Sequence, residues 1–440
     1  MNQVTYPLST SNVRIPETFN FMNCCGLLYR FCFIYFLLTL AIVIHAAPIN
    51  ENASAADTNS AEAIKKSNSP FAFSLSYKSD VIRGLKGSLK NDYFYLGNID
   101  AKLNIDGEKL LNLKNSSFFL YVLNNHGSKP NHLANTIQGV DNIEVDINTT
   151  KLYQAWFQLN KMDNRLSFLV GLYDLNSEFY VTDSSSIFIN PAFGIGSEFG
   201  ATGINGPSIF PVTSMALRLK YQTEGAFYIQ SALFDGVPGN PANPYGTHIR
   251  FAKGGGTLLV YEAGILPSFI SPVSELKLAV GGWRYSAKYP DQLDMDSDGN
   301  PISRRNSGYY FLAEDTIWQS DINKNRQLKV FFRAGRAPGS INAISFAFQS
   351  GFTIKGLSNN RPDDILGIGL ARAHYGRQLR TLAELANTYV NHETAYEVSY
   401  KSVLNEHIFI QPFIQKTIGN QYPSLENKTV FCGVRFELNY

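Results

Sequence analysis

The residues best placed to do chemistry in this chain are polar side chains that recur at every second position inside apolar runs. Gln154, Trp156 and Gln158 do so in "YQAWFQL", Arg218 and Lys220 in "ALRLKY", and Glu262 in "LVYEAG". Lys329 and Arg333 follow in "LKVFFRA", and Glu393 and Glu397 in "ETAYEVS". Amide, guanidinium, ammonium and carboxylate groups exchange hydrogen bonds, and an indole offers a face for stacking. That is the chemistry of reversible contact. Covalent chemistry has no comparable footing. There is no nucleophile-elbow motif, no Walker loop and no paired zinc histidines, and "GIGSEFG" misses dinucleotide spacing by one residue. His126, His132, His248, His374, His392 and His407 are scattered. His407 with Ser399 or Ser402 is the one local pairing available to a barrel-borne hydrolase. In "DMDSDGNPISRR", Asp294, Asp296, Asp298 and Gly299 match the first half of a calcium loop, but its twelfth position is Arg305, where a bidentate Glu is required. The expectation is a non-enzymatic protein with no cofactor, and a solvated turn at the acidic loop.

Side chains at a spacing of two need extended strands to carry them. The last residues, "KTVFCGVRFELNY", show the pattern at its clearest. Val430, Cys432, Val434, Phe436, Leu438 and Tyr440 occupy one face, and Gly433, Arg435, Glu437 and Asn439 the other, with Phe431 as an apolar intruder. From Phe71 onward the chain breaks into about sixteen such runs separated by turn chemistry. They fall near 71–77, 93–105, 117–123, 151–160, 166–173, 214–221, 226–234, 257–265, 276–286, 308–318, 327–334, 344–354, 363–374, 390–400, 407–416 and 430–440. Tyr153, Ala155, Phe157 and Leu159 form the apolar face of the fourth run. Arg284 is ambiguous between Trp283 and Tyr285.

Composition favours the same architecture. Charged residues are 17%, aromatics are 13%, and the mean hydropathy is slightly negative, so apolar residues are diluted along the chain instead of gathered into spans. A net charge of +2 with no basic stripe argues against nucleic acid as a partner. Long and short connections alternate, as in transmembrane barrels with short periplasmic turns and longer external loops. These observations predict an all-β fold, a transmembrane antiparallel β-barrel of about 16 strands with outer-membrane architecture. In a bilayer the sheet has to close, so the last strand must pair with the first. Phe436, Leu438 and Tyr440 are then the closure and assembly signal, and Tyr440 joins the interfacial aromatic girdle.

The one apolar block, "FCFIYFLLTLAIVI", reads as the core of an export signal over residues 1–47, with Met22 as a possible start and cleavage as late as Ala55. Removal would leave Cys432 as the sole cysteine, a small hydrophobe on a terminal strand. Residues 48–70 read as a flexible extension and 71–440 as the barrel.

Several blocks together resemble a known family. "WFQLNKMDNRLSFLVGLYDLNSEFYVTDSSSIFINPAFG", "YIQSALFDGVPGNP", "LLVYEAGI", "AVGGWRYS" and the closing "ETAYEVSY...IFIQPFIQKTIGN...VFCGVRFELNY" look like the carbohydrate-selective porins of the OprB type, over about Tyr77 to Tyr440. The chain departs from that pattern at "SDVIRGLKGSLKND", where the family usually shows an Asn before a Gly-Gly pair. The resemblance implies a sixteen-stranded outer-membrane barrel through which mono- and oligosaccharides diffuse. It implies outer-membrane lipid and the assembly machinery as partners, and a monomer or trimer. If the apolar faces meet lipid, Gln154, Trp156, Gln158, Arg218, Lys220, Glu262, Lys329, Arg333, Glu393 and Glu397 line the lumen and become candidates for sugar contact. The alternative for each is a wall residue that is merely solvated or paired across the pore. The alternative for the whole is a general solute pore, or an adhesion barrel of the same architecture.

Overall fold

The computed structural model describes residues 69–440 except 88–91, 135, 225–226, 252, 267–275, 386–388 and 422–423. The export signal and nearly all of the extension expected over 48–70 lie outside the described residues.

The period-two runs become strands. These are β1 (Phe71–Lys86), β2 (Tyr93–Asp106), β3 (Ser116–Gly127), β4 (Thr149–Lys161), β5 (Leu166–Tyr173) and β6 (Ser214–Gln222). They continue with β7 (Phe227–Asp235), β8 (Thr257–Ile265), β9 (Lys277–Met295), β10 (Pro301–Gln319) and β11 (Gln327–Arg336). The last are β12 (Ile344–Lys355), β13 (Ile365–Tyr375), β14 (His392–Val403), β15 (Ile408–Gln421) and β16 (Ser424–Asn439). Each pairs antiparallel with its sequence neighbours, and β1 pairs with β16, so the sheet is a closed barrel. Closure answers the ordered terminus. Leu75 and Tyr440 exchange backbone hydrogen bonds of 2.9 and 2.8 Å, and register runs from Ser76 opposite Asn439 to Lys86 opposite Val430. Inside this seam the Arg435 guanidinium grips the Asp80 carboxylate at 2.8 and 2.6 Å.

The outer face is apolar and bare. Leu217, Leu219, Ile229, Val280 and Phe436 are exposed, as are Phe71, Phe73 and Leu75 on the first strand. An apolar surface of that extent would aggregate in water and is satisfied by hydrocarbon. The barrel is therefore an outer-membrane, multi-pass structure, and its inner face carries the polar alternates.

Four details depart from the sequence reading or complete it. Alternation of connection length fails where neighbouring strands pair beyond the wall: β9 and β10 are 19 residues each, and only 296–300 joins them. There the Asp296 carboxylate accepts from the backbone N–H groups of Asp298 (3.0 Å) and Asn300 (2.8 Å), while Gly299 takes φ 80°, which closes a tight turn and lets pairing continue. Tyr153 was expected on the apolar outer face. Instead a register shift between β3 and β4 places it in a bulge, with its hydroxyl donating to Asp174 at 2.7 Å. Phe431, the apolar intruder, packs inside with Ile82, Phe94, Phe413, Val140 and Ile143. Arg284 faces out beside exposed Leu259, and Trp283 and Tyr285 are buried inward.

Candidate permeation pathway

An inner face that is apolar in places needs something to pack on it, and two loops supply this. The connection 174–213 crosses the lumen, and its Leu175, Phe179, Tyr180, Ile195 and Phe199 form one core with inward Tyr228, Trp283, Tyr285 and Tyr310. Phe199 stacks on Trp283 at 5.0 Å, interplanar angle 3°. Further along, the rings of Phe188 and Phe193 lie over Gly369 and the Ile187 side chain over Gly367, where a β-carbon would collide with them.

Wall side chains hold this loop by its backbone. Glu262 accepts from the Tyr180 N–H at 2.9 Å and from the Tyr228 and Tyr310 hydroxyls at 2.7 and 2.8 Å. Glu314 accepts from the N–H groups of Asp183 (3.0 Å) and Ser184 (2.6 Å). Glu397 accepts from those of Ile189 (2.7 Å) and Asn190 (2.8 Å). Arg333 works in the opposite sense, donating to the carbonyls of Tyr180 (3.2 Å), Gly194 (2.9 Å) and Phe193 (2.6 Å). The connection 128–148 is fixed the same way, with Glu393 accepting from Ile137 and Gln138 N–H groups at 3.0 Å each. Arg435 reaches Asn142 at 2.7 Å, and Asn190 of one loop donates to the Gly139 carbonyl of the other at 2.8 Å. Irregular backbone inside a barrel must have its polar groups satisfied, and these carboxylates and guanidinium groups do so with charge-assisted bonds.

Tyr180 is where the clamps converge. Its φ of 61° is left-handed, a conformation that costs an aromatic residue about 1–2 kcal/mol. Its N–H is held by Glu262, its carbonyl by Arg333, and its ring stacks on Tyr310 at 4.0 Å. Its hydroxyl donates to Glu198 at 3.0 Å. Burial pushes the Glu198 carboxyl up to about 7, against the pull of that hydroxyl and of Arg333. Gly335 opposite leaves room for the carboxylate, since a β-carbon there would strike it. Glu178 shows the reverse balance. Burial alone would raise it, but Arg218 and Lys220 outweigh burial and hold it at about 2.

The sequence-derived candidates thus separate. Glu262, Arg333, Glu393 and Glu397 are all at or below 1% exposure and bind loop backbone. Arg218 is also buried, ion-paired with Glu178 (Nε to Oε2 2.8 Å) and bonded to Ser167 Oγ (2.7 Å) and Gln158 (3.0 Å). Gln154 is buried and accepts from the Trp156 indole at 3.2 Å. Trp156, Gln158, Lys220 and Lys329 stay partly exposed on the inner face. Trp156 rests one ring face on Phe119 at 4.9 Å, and Lys220 lies 3.5 Å from Glu178. Glu314 was missed, although its place on the polar face of β10 obeys the rule that picked out Glu262. Glu178, Tyr180 and Glu198 sit in a loop where no period exists to mark them.

The other candidates do not assemble into sites. Asp294 is held by Arg304 (2.6 Å) and Arg377 (2.7 Å), and among the described residues no group of three His, Cys, Asp or Glu is placed to bind a metal ion. Ser399 donates to Glu397 at 2.6 Å on the inner face, and Ser402 lies 3.4 Å from Asp364. His407 contacts the Asn439 carbonyl at 3.0 Å, so the serine and histidine partners have gone to other groups.

The fold has counterparts. A family model described as carbohydrate-selective porin, OprB family, matches residues 90–440. Porin B of Pseudomonas aeruginosa is 24% identical over 337 residues, covering 72% of this chain and 73% of that protein. Among solved structures, the high-pH structure of Pseudomonas putida OprB superposes with a TM-score of 0.75 at 21% identity, covering 86% of this chain and 96% of that one. The low-pH structure of the same protein gives 0.55 at 16% identity over 90% and 100% of the two chains.

Proposed function

This chain belongs to the OprB family of carbohydrate-selective porins, and from that membership we propose that its outer-membrane barrel passes small sugars by diffusion through the space the two inward loops leave open. Its general action is that of a porin, with no energy source and no chemical step. The observation that supports selectivity is the partly exposed inner-face group Trp156, Gln158 and Lys220, beside a loop whose backbone is held by wall side chains. A sugar presents hydroxyls around its rim and C–H surface on its faces. The indole takes the face, and the amide and ammonium exchange hydrogen bonds with the rim. Contacts of this strength suit a channel, because binding must favour entry without preventing exit. The buried Glu262, Arg333, Glu393 and Glu397 then act indirectly, by fixing the bore.

The test is single-channel conductance of the refolded barrel in a planar bilayer, with glucose, maltose and a neutral non-sugar of similar size. Concentration-dependent block by the sugars alone is expected, and Trp156→Ala should weaken it about two- to tenfold, the worth of one stacking contact. Conductance indifferent to sugar would make the barrel a general solute pore. A folded barrel that does not conduct would move the reading to an adhesion role.

A further inference from the structure

Among the described residues, the outward-facing cations of the wall gather at one end, and they are ordered. Arg83 on β1, Arg284 on β9, Arg336 on β11, Arg372 on β13 and Lys416 on β15 all point away from the lumen. They stand at the end opposite Phe71 and Tyr440, one on every second strand from β9 round to β1. Register gives most of them an outward aromatic partner. Arg83 is opposite Tyr93, Arg336 is opposite both Tyr309 and Phe346, Arg372 is opposite Phe348, and Lys416 is opposite Tyr396. Arg83 lies over the Tyr93 ring at 5.0 Å, and Arg372 over Phe348 at 6.0 Å. Among the described residues none of the five meets a carboxylate. Arg372 donates to Thr394 at 2.8 Å and Arg83 to the Tyr93 hydroxyl at 3.2 Å. The opposite rim ends on exposed Phe71, Phe227, Ile317 and Tyr440; its outward strand charges are Lys161 and Asp315, and its turns carry paired charges such as Arg165 with Glu224.

Cations aimed into a bilayer without an anion are costly, and aromatic residues at their level mark the depth of the headgroups. Guanidinium groups recognise phosphate in particular, through paired donors. We propose that this belt binds the phosphates of a glycolipid in the outward-facing leaflet, a phosphorylated diglucosamine lipid seated between β9 and β1 with its acyl chains on the apolar wall below. The inference concerns the outer wall and is independent of what passes through the lumen.

The probe is purified bisphosphorylated lipid A, compared with the same lipid after phosphatase treatment and with phosphatidylglycerol. Binding to the detergent-solubilised barrel is read by native mass spectrometry and by the shift in the heat-induced mobility change. Lipid A should bind and stabilise the barrel, and the dephosphorylated lipid and phosphatidylglycerol should do so far less. The triple variant R336Q/R372Q/K416Q should lose about a hundredfold in affinity, and single variants about fivefold each, from roughly 1 kcal/mol per cation at a charged membrane surface. Equal retention of the dephosphorylated lipid overturns the proposal, as does equal retention of phosphatidylglycerol. If the triple variant does not fold, unchanged lipid A affinity in both R336Q and K416Q has the same force.

Discussion

Tyr180 and the groups around it show how single residues set the channel. Arg333→Met would strip three carbonyls of their donor, those of Tyr180 and Phe193 being buried, while keeping most of the volume. Leaving buried acceptors unmatched costs about 1–3 kcal/mol each where water cannot reach them, so the loop should detach from the wall. The expected outcome is a larger and noisier single-channel conductance with a lower unfolding temperature. Glu198 supplies a pH signature. Its carboxyl is raised from 4.5 to about 7, so the folded protein retains a proton that the unfolded chain releases between those values. The resulting stability is fully present below pH 4.5 and is lost as pH rises through about 7, on the order of 3 kcal/mol in all. Thermal unfolding followed from pH 5 to pH 9 should show that fall, and Glu198→Gln should flatten it. Glu178 contributes with the opposite sign. Held at about 2 by Arg218 and Lys220, it stabilises the fold above pH 4.5 and ceases to do so as pH drops toward 2.

At the scale of elements, the wall was legible and its contents were not. β5 and β8 begin and end where their apolar alternation does, because a two-sided environment of lipid and lumen imposes the period on every residue. β9 and β10 run past their apolar stretch because pairing beyond the membrane needs hydrogen bonds and a turn but no apolar face. Tyr153 was misplaced because a bulge adds a residue without any mark in the alternation. Period two reports which face a side chain takes. It is silent on what stands opposite, so Glu262 and Glu397 read as solute contacts when their partners were loop N–H groups 82 and 208 positions away in sequence. The long hairpin offers its own test. Arg304 and Arg377 share Asp291 and Asp294 and tie the hairpin to the helix Arg377–Leu385. These arginines are exposed, and Arg377→Ala should cost under about 1 kcal/mol. Faster proteolysis at 296–300 with unchanged conductance is the expected result.

For the molecule as a whole, closure depends on one seam, and within it on Arg435 and Asp80. Asp80→Ala would leave the buried Arg435 guanidinium with only the more distant Asp141 carboxylate at 3.9 Å and should cost about 3–5 kcal/mol, whereas the paired replacement D80L/R435M removes both members of the close pair and should cost less. The yield of heat-modifiable barrel after refolding measures both. Deleting Tyr440 removes its backbone exchange with Leu75, and assembly should slow or fail. The way the loops are fastened has a further consequence, in the electrical sign of the passage. The chain's formal charge is only +2, which suggests a pore indifferent to ions. Yet Glu262, Glu314, Glu393 and Glu397 are turned against amide N–H groups behind loop backbone, while inward Lys78, Lys102, Lys220, Lys277 and Lys401 stay partly exposed. Water in the lumen meets these ammonium groups more than those four carboxylates, with Lys78, Lys220 and Lys401 also facing Asp100, Glu178 and Glu437. A salt gradient across a bilayer holding this barrel should therefore develop the potential of chloride passage, and Lys220→Glu should move it toward cation passage.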